Sequence, residues 1–294
     1  MDLHAYLRER RDLLEAALER ALPRVSDLPQ RLHESIRYSV MAPGKRLRPI
    51  LVMASAEAVG GSAEAVLPTA CALECIHAFS LIHDDLPCMD DDDTRRGRPT
   101  NHKVFGEAMA LLAGDALLAL AFELVASNAS AVAPDRLVSA VAMIARASGT
   151  WGMVGGQVMD IEAEGRPISG EWLQQIHARK TGALLTASSV VGALLAGGAE
   201  EQLERLREYG AHVGLAFQIA DDILDVVGDE EKIGKPVGSD QKQDKATYPK
   251  LYGLERSLAM ARTESTAAIA AVEPLGPSAE PLRAIAHYIV ERDL

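Results

Sequence analysis

Aromatic side chains make up only 4% of this 294-residue chain, and alternating β-branched runs are equally scarce, while Ala and Leu recur at helical spacing. An all-α fold is expected, and 48% hydrophobic residues suffice for a sizeable core. Cysteines number three, too few and too odd for a disulfide framework. Cys71 and Cys75, at i and i+4 on an apolar helix, read as small buried residues in a reducing compartment. Positive charge is in deficit, with 30 basic against 42 acidic residues and a net charge of -12. That balance argues against nucleic acid or an anionic membrane as partner. No export signal is seen, because Leu3, Leu7, Leu14 and Leu18 alternate with Arg8, Glu9, Arg10 and Arg11 in a charged amphipathic helix. A cytoplasmic protein is expected. The longest uncharged run, Ala183 to Ala199, is interrupted by Thr186, Ser188, Ser189 and glycines, and it falls short of the ~20 apolar residues of a span. It reads as a buried small-residue helix, and no membrane span is expected.

Several catalytic signatures are missing as well. There is no G-x-x-x-x-G-K-[ST] phosphate loop, G-x-G-x-x-G turn, G-x-S-x-G elbow or H-E-x-x-H zinc helix. His83 and His102 lack paired metal-ligand spacing and are read as surface or capping groups. Without a low-complexity linker or fixed-period repeat, residues 1–294 read as one domain. Helices are expected near 2–21, 28–41, 47–59, 63–85, 101–126, 135–148, 151–163, 170–196, 200–227, 246–272 and 278–291, separated by Gly and Pro turns.

What the chain does contain is two aspartate clusters inside segments that otherwise read as buried helix: Asp84, Asp85 and Asp90, then Asp221, Asp222 and Asp225. Gln218, Asp221, Asp222 and Asp225 stand at i, i+3, i+4 and i+7, one stripe of a helix. Their surroundings, including Leu215, Phe217, Ile219, Ile223 and Leu224, are apolar, so the stripe should line a cavity. Glu74, His77, Ser80 or Leu81, and Asp84 form a similar stripe. Buried like charges call for a counter-ion, and hard Mg²⁺ shared between carboxylates and a phosphorylated ligand is the natural candidate. Pro87 ends the first helix, placing Asp90 to Asp93 on a loop folding back toward it. Basic residues gather at separate points suited to anions: Gly44-Lys45-Arg46-Leu47-Arg48-Pro49, Arg95-Arg96, Lys180, and the loop from Lys235 to Lys245.

Taken in order, these motifs resemble the trans-isoprenyl diphosphate synthase family. The resemblance also draws on Gly155-Gly156-Gln157 with Asp160, Lys180-Thr181-Gly182, Phe217-Gln218 and Lys245-Ala246-Thr247-Tyr248-Pro249, and it spans about Arg31 to Arg292. Its bacterial farnesyl diphosphate branch shares the two extra residues of the first motif, here Pro87 and Cys88.

The resemblance implies a bundle of antiparallel helices around a deep cavity, a homodimer, and about three Mg²⁺ ions held by Asp84, Asp90 and Asp221, with Asp85, Asp222 and Asp225 in support. Lys180, Lys235 and Arg95 would clamp the allylic diphosphate, with Lys245 also at the substrate. Isopentenyl diphosphate would occupy a metal-free pocket of Gly44, Lys45, Arg48, His77 and Arg96. Lys180, Thr181 and Gln218 would act at the reacting centre, the latter two as dipoles beside a carbocation.

Phe79, five positions before Asp84, lies roughly 7 to 8 Å deeper along a helix. With Ser80 it is the expected chain-length determinant, an aromatic floor favouring a fifteen-carbon product; geranylgeranyl diphosphate is the alternative. A terpene cyclase would not need the second diphosphate pocket. A non-catalytic binding subunit would be expected to lose one acidic cluster.

Overall fold

The computed structural model describes residues 1–227 and 246–291. Regular structure there is helical apart from a two-residue antiparallel ribbon, β1 (Thr94–Arg95) against β2 (Arg98–Pro99). The helices run α1 (Leu3–Ala21), α2 (Gln30–Val40), α3 (Leu47–Ala58), α4 (Leu67–Asp84), α5 (Asn101–Phe105), α6 (Glu107–Ala126), α7 (Pro134–Ser148), α8 (Met153–Ala163), α9 (Gly170–His177), α10 (Ala183–Leu195), α11 (Glu200–Val227), α12 (Tyr248–Tyr252), α13 (Leu254–Val272) and α14 (Glu280–Glu291).

Three of them form the interior. In α10 every residue but Ala183 and Thr186 is buried, and α3 and α4 are likewise buried over most of their length. Small residues set the spacing, because a Cβ on Gly192 of α10 would lie 1.8 Å from the carbonyl oxygen of Val52 in α3. Ser188 and Ser189 sit in this apolar layer because their hydroxyls donate to Leu184 and Leu185 one turn earlier, at 2.7 and 3.0 Å. The outer helices show one apolar stripe. α1 buries Leu14, Ala17 and Leu18, and Asp2 caps it by accepting from the Ala5 amide at 3.0 Å.

Expected and observed boundaries differ where glycine intervenes. The expected helix over 101–126 breaks into α5 and α6 at Gly106, and that over 246–272 breaks into α12 and α13 at Gly253. Their φ angles of 89° and 80° lie where a side chain is strained.

By length and composition alone, Glu64–Asp84, Glu107–Ala129 and Pro134–Ala163 are apolar enough to cross a membrane, a property the uncharged run at Ala183 to Ala199 did not reveal. The first is 67% buried in the bundle, and the third is broken between Ser148 and Met153. α6 is different. It leaves Leu111 and Leu112 47% and 55% exposed.

Candidate active site

The first acidic cluster forms at the end of α4. Pro87 stops the helix, and the chain folds back so that the Asp90 amide donates to the Asp84 carbonyl at 2.9 Å, while Met89 and Asp91 donate to Leu86. Asp91 takes a φ of 52° to make the turn. Burial pushes the Asp84 carboxyl up to about 6; Lys180 opposes this and Asp90 adds to it. Asp85 is 4% exposed and accepts from Arg95 at 2.6 Å. Burial raises its pKa against that hydrogen bond. Arg95 also reaches Asp92 at 3.4 Å. In this state Arg95 grips the loop carrying Asp85 to Asp92, so its first role is positional.

The second cluster lies on α11. Asp221 is exposed, Asp225 is half-buried and Asp222 is 3% exposed. Gln218 Nε2 and the Tyr248 backbone amide both donate to the Asp222 carboxylate, at 3.0 Å each. Gln218 Oε1 in turn accepts from the Thr181 hydroxyl at 2.9 Å. Asp222 therefore ties α11 to α12 and fixes Gln218.

Between α9 and α10 the helix widens to a π turn over Ala178–Gly182, a device found at functional sites. The expected continuous helix over 170–196 contains this turn, which presents Lys180 and Thr181. Lys180 Nζ meets Asp160 Oδ2 at 2.6 Å. Burial works against the ammonium, but Asp160 and Asp84 together hold its pKa above the ordinary value. Glycines let neighbouring helices approach. A Cβ on Gly156 would lie 2.2 Å from the Lys180 amide nitrogen, and one on Gly214 2.8 Å from Gly182 Cα.

Asp84, Asp90, Asp221 and Asp225 offer carboxylate oxygens and nothing softer. A set of hard donors in which burial and like charge raise the Asp84 pKa fits a divalent cation such as Mg²⁺. Separately, Asp91, Asp93 and His102 bring potential ligand atoms within 4.8 Å of one another. Lys103 meets Asp93 at 2.9 Å, and Thr100 Oγ1 lies 3.1 Å from His102 Nδ1. His102, expected as a surface or capping group, is buried, 7% exposed, and bonded to the Thr100 side chain, and α5 has no side-chain cap.

The basic motif before α3 builds the opposite environment. Arg46 has a φ of 52° at the N-terminus of α3 and is 4% exposed. It donates to Glu74 at 2.6 Å and to Ala42 at 3.0 Å. Sequence reading did not separate this structural arginine from its neighbours. Arg48 Nε is buried without a hydrogen-bond partner. Burial pushes that guanidinium down to about 10, with Glu74 and Asp221 raising it and Arg96 lowering it. Arg96, at a φ of 54°, donates to the Pro43 carbonyl at 2.9 Å.

Gly44 contributes space, since a Cβ there would lie 2.4 Å from Arg96 Nη1. His77 is held neutral first by burial and then by Arg48, Arg96, Arg95 and Arg46. Lys45 is exposed at the rim. Arg48 and Arg96 beside a neutral imidazole, with Arg48 Nε buried and lacking a hydrogen-bond partner, form a seat for an anion. Backbone strain concentrates here too: Arg46, Asp91 and Arg96 are the non-glycine residues with positive φ among those described.

Ser80 donates to His77 within α4 at 2.9 Å. Phe79 is 7% exposed in the core. Lys235 and Lys245, expected at the substrate, lie outside the described residues.

The comparisons agree with this geometry. The chain is 49% identical over 293 residues to a geranylgeranyl diphosphate synthase of Cyanophora paradoxa, covering 99% of this chain and 97% of that one. It is 49% identical to the large subunit of a heterodimeric geranylgeranyl pyrophosphate synthase of Arabidopsis thaliana, over 99% of this chain and 80% of that one. An apo structure of a FPP/GFPP synthase of Zymomonas mobilis superimposes with a TM-score of 0.88 at 39% identity, covering 98% and 99% of the two chains. With two acidic clusters and a cationic pocket in a helical bundle, and residues 29–274 matching the polyprenyl synthetase profile, the chain belongs to the polyprenyl synthetase family.

Proposed function

We propose that the protein condenses isopentenyl diphosphate with an allylic diphosphate, head to tail, and that its end product is geranylgeranyl diphosphate. One observation carries the reaction class. A pocket of Arg48, Arg96 and neutral His77 lies within the field of an acidic pair of jaws, since Arg48 feels Asp221 and Arg96 feels Asp85. Two anionic substrates thereby receive two different grips. Mg²⁺ held by Asp84, Asp90, Asp221 and Asp225 would supply positive charge to the departing diphosphate.

Lys180, pinned by Asp160 at 2.6 Å, is a fixed cation beside Asp84, preorganised for charge that develops as the C–O bond ionises. Thr181 and Gln218 hold each other at 2.9 Å, so their oxygen dipoles are set before the allylic cation forms. Arg48, Arg96 and Lys45 hold isopentenyl diphosphate with its double bond toward that cation. The released proton passes to the departing diphosphate. Apolar helices exclude the water that would quench the cation.

Relatives named geranylgeranyl diphosphate synthases, 49% identical over 99% of this chain, support the twenty-carbon product. That favours the alternative over the fifteen-carbon reading that Phe79 suggested. Farnesyl diphosphate remains the second reading, supported by a buried aromatic ring one and a half turns below Asp84. The deciding experiment supplies isopentenyl and dimethylallyl diphosphates with Mg²⁺ and separates the products by length. A twenty-carbon product is expected; a product stopping at fifteen reverses the order. Hydrocarbons released from long prenyl diphosphates would point to a cyclase, and no diphosphate release to a binding subunit.

The same proposal includes a homodimer. Leu111 and Leu112 of α6 and Trp151, Val154, Val158 and Ile161 near α8 are each at least 40% exposed, more apolar surface than an isolated helix face warrants. Light scattering at the mass of one chain would reject it.

A further inference from the structure

Phe79 does not stand alone. Its ring meets the imidazole of His83, one turn later on α4, edge to face at 4.9 Å between centroids and 80° between planes. His83, expected as a surface or capping group, has a side chain 21% exposed and reaches across to α6. Its Nε2 lies 3.0 Å from the Leu111 carbonyl oxygen and 4.0 Å from Asp115 Oδ1. Residue 114 has no side chain, and that absence makes the seat. A Cβ on Gly114 would lie 2.1 Å from His83 Nε2 and 2.4 Å from Cδ2, closer than real atoms approach.

A floor under a growing chain must also resist. Burying another five-carbon unit is worth more than turning one phenyl ring away from its rotamer, so an aromatic stop needs packing behind it. We propose that His83, seated on Gly114 and anchored to Leu111, is the positioning residue that holds Phe79 in place and so helps set product length. This rests on reading Phe79 as the floor.

The test uses the full chain with Mg²⁺, isopentenyl diphosphate and geranyl diphosphate, reading product length by chromatography and initial rate in parallel. Phe79→Ala is expected to give products at least one isoprene unit longer than those of the wild type. His83→Ala and Gly114→Ala should each raise the ratio of longer to wild-type-length product at least threefold, with total turnover within about threefold of wild type. The double variant should lengthen no further than His83→Ala, because the imidazole that would clash with the added methyl group is gone. His83→Ala introduces no clash and keeps the test standing if Gly114→Ala fails to fold. Lengthening by Phe79→Ala with unchanged product ratios in His83→Ala would overturn the positioning role and leave the floor intact. No lengthening by Phe79→Ala would sink the floor reading and the inference with it.

Discussion

The acidic jaws and the cationic pocket carry opposite charge, yet burial acts on them alike. Asp84 is pushed up to about 6 and Arg48 down to about 10, each toward its neutral form, because burial penalises the charged form more than the nearby counter-charges, Lys180 and Glu74, support it. Nearby, Arg46 with Glu74 and Lys180 with Asp160 show the other arrangement, each pair closed at 2.6 Å. The contrast separates charges fixed in place by a protein partner from charges left for a ligand. A charge the protein has already partnered holds the site's shape, while one driven toward neutrality awaits a ligand of opposite sign.

The strongest way to break that division is to remove charge from both jaws. Asp84→Ala and Asp221→Ala should each lower turnover by at least ~10³-fold, the scale of losing preorganised electrostatic stabilisation. A steady-state assay at saturating Mg²⁺ checks it, and activity within tenfold of wild type would remove these aspartates from the jaws. Arg46→Ala should instead strike stability. It strands Glu74, 3% exposed, as an uncompensated buried charge, a loss of about 3–5 kcal/mol. Chemical denaturation measures this, and whatever folded enzyme remains should keep its KM for isopentenyl diphosphate within about threefold.

Arg48→Ala is the converse, at the second residue of α3 and two positions from Arg46. It removes a guanidinium whose Nε has no protein partner, so the fold should tolerate it. The KM for isopentenyl diphosphate should rise about 10- to 100-fold, the worth of a charge-assisted contact. The KM for the allylic substrate should stay within about threefold. Equal increases for both substrates would dissolve the distinction between pocket and jaws.

Arg46 and Arg48 also mark how far sequence could be read. Helical spacing pointed to the two aspartate stripes and Pro87 to the turn after the first, because aspartates on an apolar helix face leave few alternatives, while the pocket of Arg48, His77 and Arg96 came from the family resemblance. The same spacing could not say that Arg46 turns inward to Glu74 while Arg48 stays open. That choice depends on a φ of 52° at residue 46, which periodicity does not encode. Asp222 and Asp85 were legible as acidic, but the partners they hold were not. Their partners, Tyr248 and Arg95, come from segments 26 and 10 residues away. Gly106, Gly253 and the π turn at Ala178–Gly182 broke expected helices for a related reason, since helical propensity is local, whereas the two glycines turn the backbone through a positive φ and the π turn packs against Gly156.

The smallest effect tests the same comparison without substrate. In the metal-free protein the Asp84 pKa rises from 3.8 unfolded to about 6 folded, so the folded state holds the proton more tightly. Stability from this group is therefore full below about pH 4 and declines as pH rises toward 6. His177 has the opposite sign, because burial lowers its pKa from 6.5 to about 4; its contribution is present above pH 6.5 and is lost as pH falls toward 4. The two slopes oppose one another between pH 4 and 6, so total stability is a poor reporter. The difference between Asp84→Asn and wild type isolates the carboxylate. Without Mg²⁺ it should be near zero at pH 4 and grow to roughly 1–2 kcal/mol in favour of the variant by pH 7, after discounting for solvent screening. Thermal melts across this range measure it, and adding Mg²⁺ at pH 7 should reverse the order by stabilising only the wild type appreciably. A difference independent of pH would mean that Asp84 is no more crowded than a surface carboxylate, and the kinship between jaws and pocket would be lost.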